Sequence, residues 1–211
     1  MSAGRDSSGK APEPGRLARS RGRLLRDAVV GTLAVGGGLE AAAVTSRAAT
    51  RTRLTQQDAK ILNFLLRLEQ VEQSFFARAA HDARFGADVR QFASVAAAQD
   101  GAHEDALRSM LGAAAQSTTA TARARPRTDA EFVQDALDLK EAAVAAYIGE
   151  AANLSRDLVT RVSKIVSVEA RHAAWIRSVA DVIPAPRAAD RSQTPAAVLR
   201  SLQGRGLAPT G

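Results

Sequence analysis

Fifteen residues near the middle of the chain, Ala113 to Arg127, are almost all Ala, Ser, Thr, Arg and Pro, and they lie between two pairs of apolar-periodic runs. In the first run, which opens at Thr55 with Asp58 three residues on, Ile61, Phe64, Leu65, Leu68, Val71, Phe75 and Phe76 recur at helical spacing to about Ala80. The second extends from about Asp88 to Leu111, where Gly112 is a natural stop. The third opens on Thr128 and Glu131, a capping-box pair, carries Phe132, Ala136, Leu139, Ala143, Ala146 and Tyr147, and ends near Gly149. The fourth spans roughly Ser155 to Val182, ahead of Pro184 and Pro186. Each run predicts a helix of about 20–28 residues, roughly 30–40 Å long. The first and third connections are short, which makes antiparallel hairpins. The middle link, extended, spans about 50 Å, enough to run the length of a bundle. The fold class that follows is all-α: a four-helix bundle of two antiparallel hairpins joined by one long crossover.

Alanine and leucine dominate the runs, aromatics make up 4% of residues, and cysteine is absent. Disulfides, a thiolate nucleophile and a zinc–thiolate site are therefore excluded. The net charge of +7 suggests nucleic acid until it is located. Residues 1–53 hold ten Arg/Lys against four Asp/Glu, whereas residues 54–211 hold nineteen against eighteen. The bundle is thus nearly neutral and lacks the basic face that tracking phosphates requires, so nucleic acid is excluded as a partner.

The organisation expected is a leader over 1–53, a bundle over 54–182 and a polar C-terminal tail over 183–211, with one amphipathic turn from Ala196 to Leu202. Ser20-Arg21-Gly22-Arg23-Leu24-Leu25-Arg26, the weakly apolar run from Ala28 to Val44 and the small residues Ala41 to Ala43 read as an export signal. It is similar to a twin-arginine signal, with Gly22 where the second adjacent arginine belongs. Gly36 to Gly38 and Glu40 speak against a stable membrane span. The expected location is therefore the periplasm, cell envelope or exterior, with the twin-arginine export machinery as a partner.

Two of the three histidines follow an acid by three residues: Asp100 with His103, and Glu169 with His172. That spacing puts a carboxylate and an imidazole on one helix face, within reach of one metal ion. A dinuclear carboxylate bundle draws one Glu from each of two helices and a Glu-x-x-His from each of the other two. Glu69 lies 34 residues before His103, and Lys140 lies 32 before His172. The metal ligands expected are Glu69, Asp100, His103, Glu169 and His172, while the third helix brings Lys140 where a carboxylate is due. His81, at a helix end, is expected at the surface. Tyr147 and Trp175 are expected to pack in the core.

The segments ILNFLLRLEQVEQSFFARA, AAAQDGAHEDAL, ALDLKEAAVAAYIGEA and SVEARHAAW resemble the bacterial ferritin-like domain family over about residues 55–182. The resemblance implies a four-helix bundle with a carboxylate-and-histidine metal site, and export leaders are common in the family. Asp100 departs from the family's Glu and Phe76 from its usual Tyr, which removes a supporting hydroxyl. Lys140 departs most. Glu69, Asp100, Glu169 and a protonated Lys140 leave a net charge that suits one divalent ion, iron or manganese, better than two. Three states stay open: one ion, a metal-free core with the ammonium held by the three carboxylates, or two ions. The function expected is an exported, oxidant-related metal-binding protein with a degraded di-metal site. The alternative is a non-enzymatic envelope bundle in which Lys140 replaces a metal. A homodimer is left open.

Overall fold

The computed structural model describes residues 54–117 and 119–210, and the export leader expected over 1–53 lies outside them. The described chain forms five α-helices: α1 (Gln56–Ala80), α2 (Ala87–Leu111), α3 (Asp129–Ala151), α4 (Arg156–Val179) and α5 (Pro195–Gln203). None is long and apolar enough to cross a membrane.

The helix starts follow from short polar side chains. Thr55 accepts the Asp58 N–H at 3.0 Å, and the Asp58 carboxylate accepts the Thr55 N–H at 3.1 Å, closing the first turn of α1. The same carboxylate accepts the N–H of Ser155 at 2.8 Å and its hydroxyl at 2.7 Å, so one acid ties the starts of α1 and α4 together. Burial pushes the Asp58 carboxyl up, but the bonds from Thr55 and Ser155 outweigh it and bring the pKa down to about 2. At α3 the Thr128 hydroxyl accepts from the Glu131 N–H, but the Glu131 carboxylate goes to the Arg127 N–H instead of completing the box. The Gly86 N–H, just ahead of α2, donates to the Asp129 carboxylate at 3.1 Å, which places the start of α3 beside the start of α2.

Pairings across the bundle fix its topology. Phe92 packs on Phe132 and Asp100 meets Lys140, both forty residues apart, so α2 and α3 run parallel. Glu69–His103 and Phe76–Phe92 make α1 and α2 antiparallel, and Phe75–Phe132 with Glu69–Tyr147 do the same for α1 and α3. Parallel neighbours demand the long link, and α1 guides it. Asn63 bonds the Ala114 carbonyl and the Gln116 N–H, Gln70 accepts the Ala120 N–H, and Arg78 reaches the Ala124 carbonyl. Ala120, Ala122 and Ala124 are buried with polar residues between them, an extended segment with one face on the bundle.

One helix end differs from expectation. The α4 helix stops at Val179, three residues short of Val182, and the prolines do not end it. Asp181 takes a left-handed φ of 56°, the Val182 N–H returns to the Arg177 carbonyl at 3.0 Å, and the Asp181 N–H returns to Ser178. This is a Schellman closure, with Asp in the position that glycine usually fills. The polar tail, in turn, belongs to the folded unit. The Gln193 N–H bonds the Ala145 carbonyl at 2.9 Å, α5 buries Val198 and Leu202, and Leu207 follows them into the core. Thr210 and Thr121 exchange both backbone bonds, which fastens the tail to the crossover.

At the end of the bundle near the 81–86 turn, Phe75, Phe76, Phe85, Phe92 and Phe132 form an aromatic cluster with ring centroids about 5–6 Å apart. Each such ring contributes roughly 1.5–3 kcal/mol by burial. This end anchors the helices rigidly beside the polar layer at mid-bundle.

Candidate metal centre

Helical spacing delivers eight polar side chains to one buried layer: Glu69 and Glu72 from α1, Asp100 and His103 from α2, Lys140 and Tyr147 from α3, and Glu169 and His172 from α4. All five expected ligands meet there. Donor atoms of Glu69, Asp100, His103 and Glu169 lie within 4.8 Å of one another. His172 Nδ1 lies 3.5 Å from Glu169 and 3.8 Å from Asp100, so it faces two of the same acids.

The layer divides into two lobes that share Asp100 and Glu169. In the first, His103 Nδ1 stands 3.2 Å from Glu69 Oε2 and 3.2 Å from Glu169 Oε1, and the Tyr147 hydroxyl donates to Glu69 Oε1 at 2.6 Å. In the second, Lys140 Nζ donates to Asp100 and Glu169 at 2.8 Å each and lies 3.3 Å from Glu72. The ammonium is thus held by three carboxylates, as one open reading supposed, but Glu72 replaces Glu69 as the third. The expected tally of three carboxylates is corrected to four.

Lys140 is wholly buried, and its Nζ also sits 5.0 Å from the centre of the Phe76 ring. The ring face attracts the cation, so the missing tyrosine hydroxyl at position 76 leaves a surface suited to an ammonium. Burial alone would strip the proton from Lys140, but Asp100, Glu169, Glu72 and Glu69 reverse that and hold its pKa well above the ordinary value. Burial likewise opposes ionisation of Glu169, yet Lys140 and the two imidazoles keep it well below the carboxylate range. For Glu72 and Asp100 burial wins over Lys140, and both are pushed well up. Glu69 is raised by burial and by Glu169. His103 loses to burial but gains more from Glu169 and Glu69, which lift it to about 10. His172 is lowered, chiefly by burial.

The donor set fits a cation. Asp100 Oδ2, both oxygens of Glu72 and His172 Nδ1 are buried and make no hydrogen bond, although Lys140 Nζ stands 3.3 Å from Glu72. His172 Nε2 contacts Gln99 Oε1 at 2.7 Å, and in the tautomer that donates this bond Nδ1 offers its lone pair toward the acids. Oxygen and imidazole donors of this kind can hold a divalent metal ion.

Sequence reasoning missed Glu72, because an acid one turn from Glu69 also fits a solvated helix face. Val71, Phe75 and Phe76, all buried around it, carried the signal. Gln99 and the Glu69–Tyr147 bond were also missed, since nothing in the spacing of a Gln and a Tyr marks them as partners of this layer. His81 is exposed, as expected, whereas Trp175, expected in the core, is half-buried against Phe92 at its edge.

Residues 57–181 match a family model described as a ferritin-like domain. No curated protein matches the chain.

Proposed function

The chain belongs to the ferritin-like domain family, and we propose that its centre holds one divalent ion, iron or manganese, beside a permanent ammonium from Lys140. One observation carries this reading: Lys140 Nζ occupies one cation position against Glu72, Asp100 and Glu169, while the other lobe keeps Glu69 and His103 clear of it. Glu69, Asp100 and Glu169 with one ammonium and one divalent ion balance in charge, and burial pushes the remaining acid, Glu72, well above the usual carboxylate range.

Glu69, Asp100, His103 and Glu169 would hold the ion, while His172 faces the two acids that both lobes share. Such an ion supplies one-electron chemistry toward oxygen-derived oxidants, which makes an oxidant-related role the reading we favour. The protein's own groups set the conditions. Tyr147 bonds one Glu69 oxygen, Gln99 contacts the His172 ring, and Phe76 packs on Phe92 in the aromatic cluster beside the layer. His103 must release its proton before it ligates, so ion and proton compete for one nitrogen.

A second reading has its own support: the two carboxylates around His103 favour an imidazolium, and then both cation positions are filled by the chain itself. The test is elemental analysis of protein loaded with manganese(II) or, anaerobically, iron(II). One ion per chain supports the first reading, and none at saturating metal supports the second.

We propose further that the chain is exported. The support is the basic segment Ser20 to Arg26, the weakly apolar run after it and the small residues that follow. Fusing residues 1–53 to a reporter that works only after export, with Arg21 and Arg23 replaced by lysine as control, tests it; activity unchanged by the replacements counts against twin-arginine export.

A further inference from the structure

We propose that Lys140 plugs a second metal site whose ligands are already in place, with Glu72 of α1 supplying the carboxylate that α3 lacks. The inference rests on the one-ion reading above for its first lobe and adds a second.

Glu72, Asp100 and Glu169 surround the ammonium, and His172 Nδ1 lies 3.8 Å from the Asp100 oxygen that binds it. Glu72 is 1% exposed, and neither of its oxygens makes a hydrogen bond. Its one ion-pair partner among the described residues is Lys140. A buried carboxylate placed this way contributes little as a salt bridge, because desolvation offsets most of the attraction. Its position is explained by the cation it faces. In the tautomer that donates to Gln99, His172 adds a neutral donor with its lone pair directed inward. Three acidic side chains and one imidazole, drawn from three helices, stand around Nζ or beside it. A divalent ion takes carboxylate oxygens at about 2.0–2.2 Å. The oxygens at 2.8, 2.8 and 3.3 Å from Nζ need to close by less than a bond length to bind one there.

In this layer, then, the fourth carboxylate has moved from α3 to α1, one turn beyond Glu69, and the vacated α3 position carries the plug. Glu72 lies outside the Glu69–Asp100–His103–Glu169 group, because it serves the other lobe.

The experiment compares wild type, Lys140→Met and Lys140→Met/Glu72→Gln, each expressed and purified with manganese(II) chloride, by ions per chain and by thermal melting. Methionine keeps the apolar stem and removes the ammonium. The expected result is one ion in wild type, two in Lys140→Met, and a second-site affinity at least tenfold weaker in the double variant. Lys140→Met should also melt lower than wild type without metal and recover with it, since the second ion replaces the lost ammonium. A folded Lys140→Met that binds one ion while wild type binds one overturns the plug and leaves the one-ion reading standing. Wild type binding none while Lys140→Met gains an ion sinks the one-ion reading and supports the plug. Equal second-site affinity in single and double variants overturns the role of Glu72. A Lys140→Met chain that stays unfolded in excess manganese overturns the proposal as well.

Discussion

The Tyr147 hydroxyl donates to Glu69 Oε1 at 2.6 Å, while Lys140, two turns earlier on the same helix, grips Glu169 at 2.8 Å. One face of α3 therefore serves both lobes of the centre with opposite means, a neutral donor for one and a cation for the other. Tyr147→Phe removes the donor and leaves the ring. It should weaken manganese binding about tenfold or more, the usual effect of losing a group that orients a ligand. Titration calorimetry of the two proteins checks this, and an unchanged affinity would place Glu69 outside the metal's reach.

Metal binding should strengthen as pH rises. His103, lifted to about 10 by Glu169 and Glu69 against the pull of burial, carries a proton at neutral pH that the ion must displace. Affinity measured between pH 6 and 9 should climb by up to about tenfold per unit, and calorimetry in buffers of different ionisation enthalpy should show about one proton released.

The metal-free fold should show the opposite trend. A group whose pKa is raised in the folded state stabilises fully below its unfolded value and loses that contribution as pH rises through the folded one. For His103 the window runs from about 6.5, the unfolded value, to about 10. Glu72 and Asp100, also raised, lose theirs in the same direction from a lower starting pH. Chelated protein should therefore melt lower at pH 10 than at pH 6, and ions should blunt the difference.

Gly149 should not tolerate alanine, although alanine in a helix is ordinarily favoured by about 1 kcal/mol. A Cβ there would stand 2.0 Å from the Gln193 carbonyl oxygen, which the Gln193–Ala145 bond holds against α3. Gly149→Ala should lower the melting temperature and open the segment around residues 184–194 to proteases. Limited proteolysis followed by mass spectrometry reads the outcome.

Asp58→Ala should destabilise by about 2–3 kcal/mol, more than one lost cap, because the carboxylate closes two helix starts. Denaturant titration measures this. The contribution should survive down to mild acid and fade as pH falls through about 2, since this carboxyl is lowered in the folded state.

Much of this was legible in the residues. Periodicity from Ile61 to Phe76 and the caps at Thr55 and Thr128 set out the helices, and the single long link implied the parallel α2–α3 pair that Phe92 and Phe132 display. The acid-x-x-His spacing brought Asp100, His103, Glu169 and His172 to one layer because a helix repeats its face every three to four residues. Glu72 escaped because, one turn from Glu69, it fits a polar stripe as well as a core. Only the positions of the other three helices decide between the two. The end of α4 escaped for a similar reason: the prolines were visible stops, whereas a left-handed Asp181 depends on backbone bonds back to Arg177 and Ser178. The alternation of small and polar residues from Ala120 to Arg125 was present in the crossover, but it marks a bundle-facing edge only once Gln70 is known to hold it.

Whether one ion and one ammonium share this layer is tested directly by a manganese-loaded crystal measured at the metal's absorption edge. The expected outcome is a single anomalous peak within bonding distance of Glu69 and His103, with Lys140 Nζ still on Asp100 and Glu169. Two peaks in the wild-type layer, or none at saturating manganese, would contradict it.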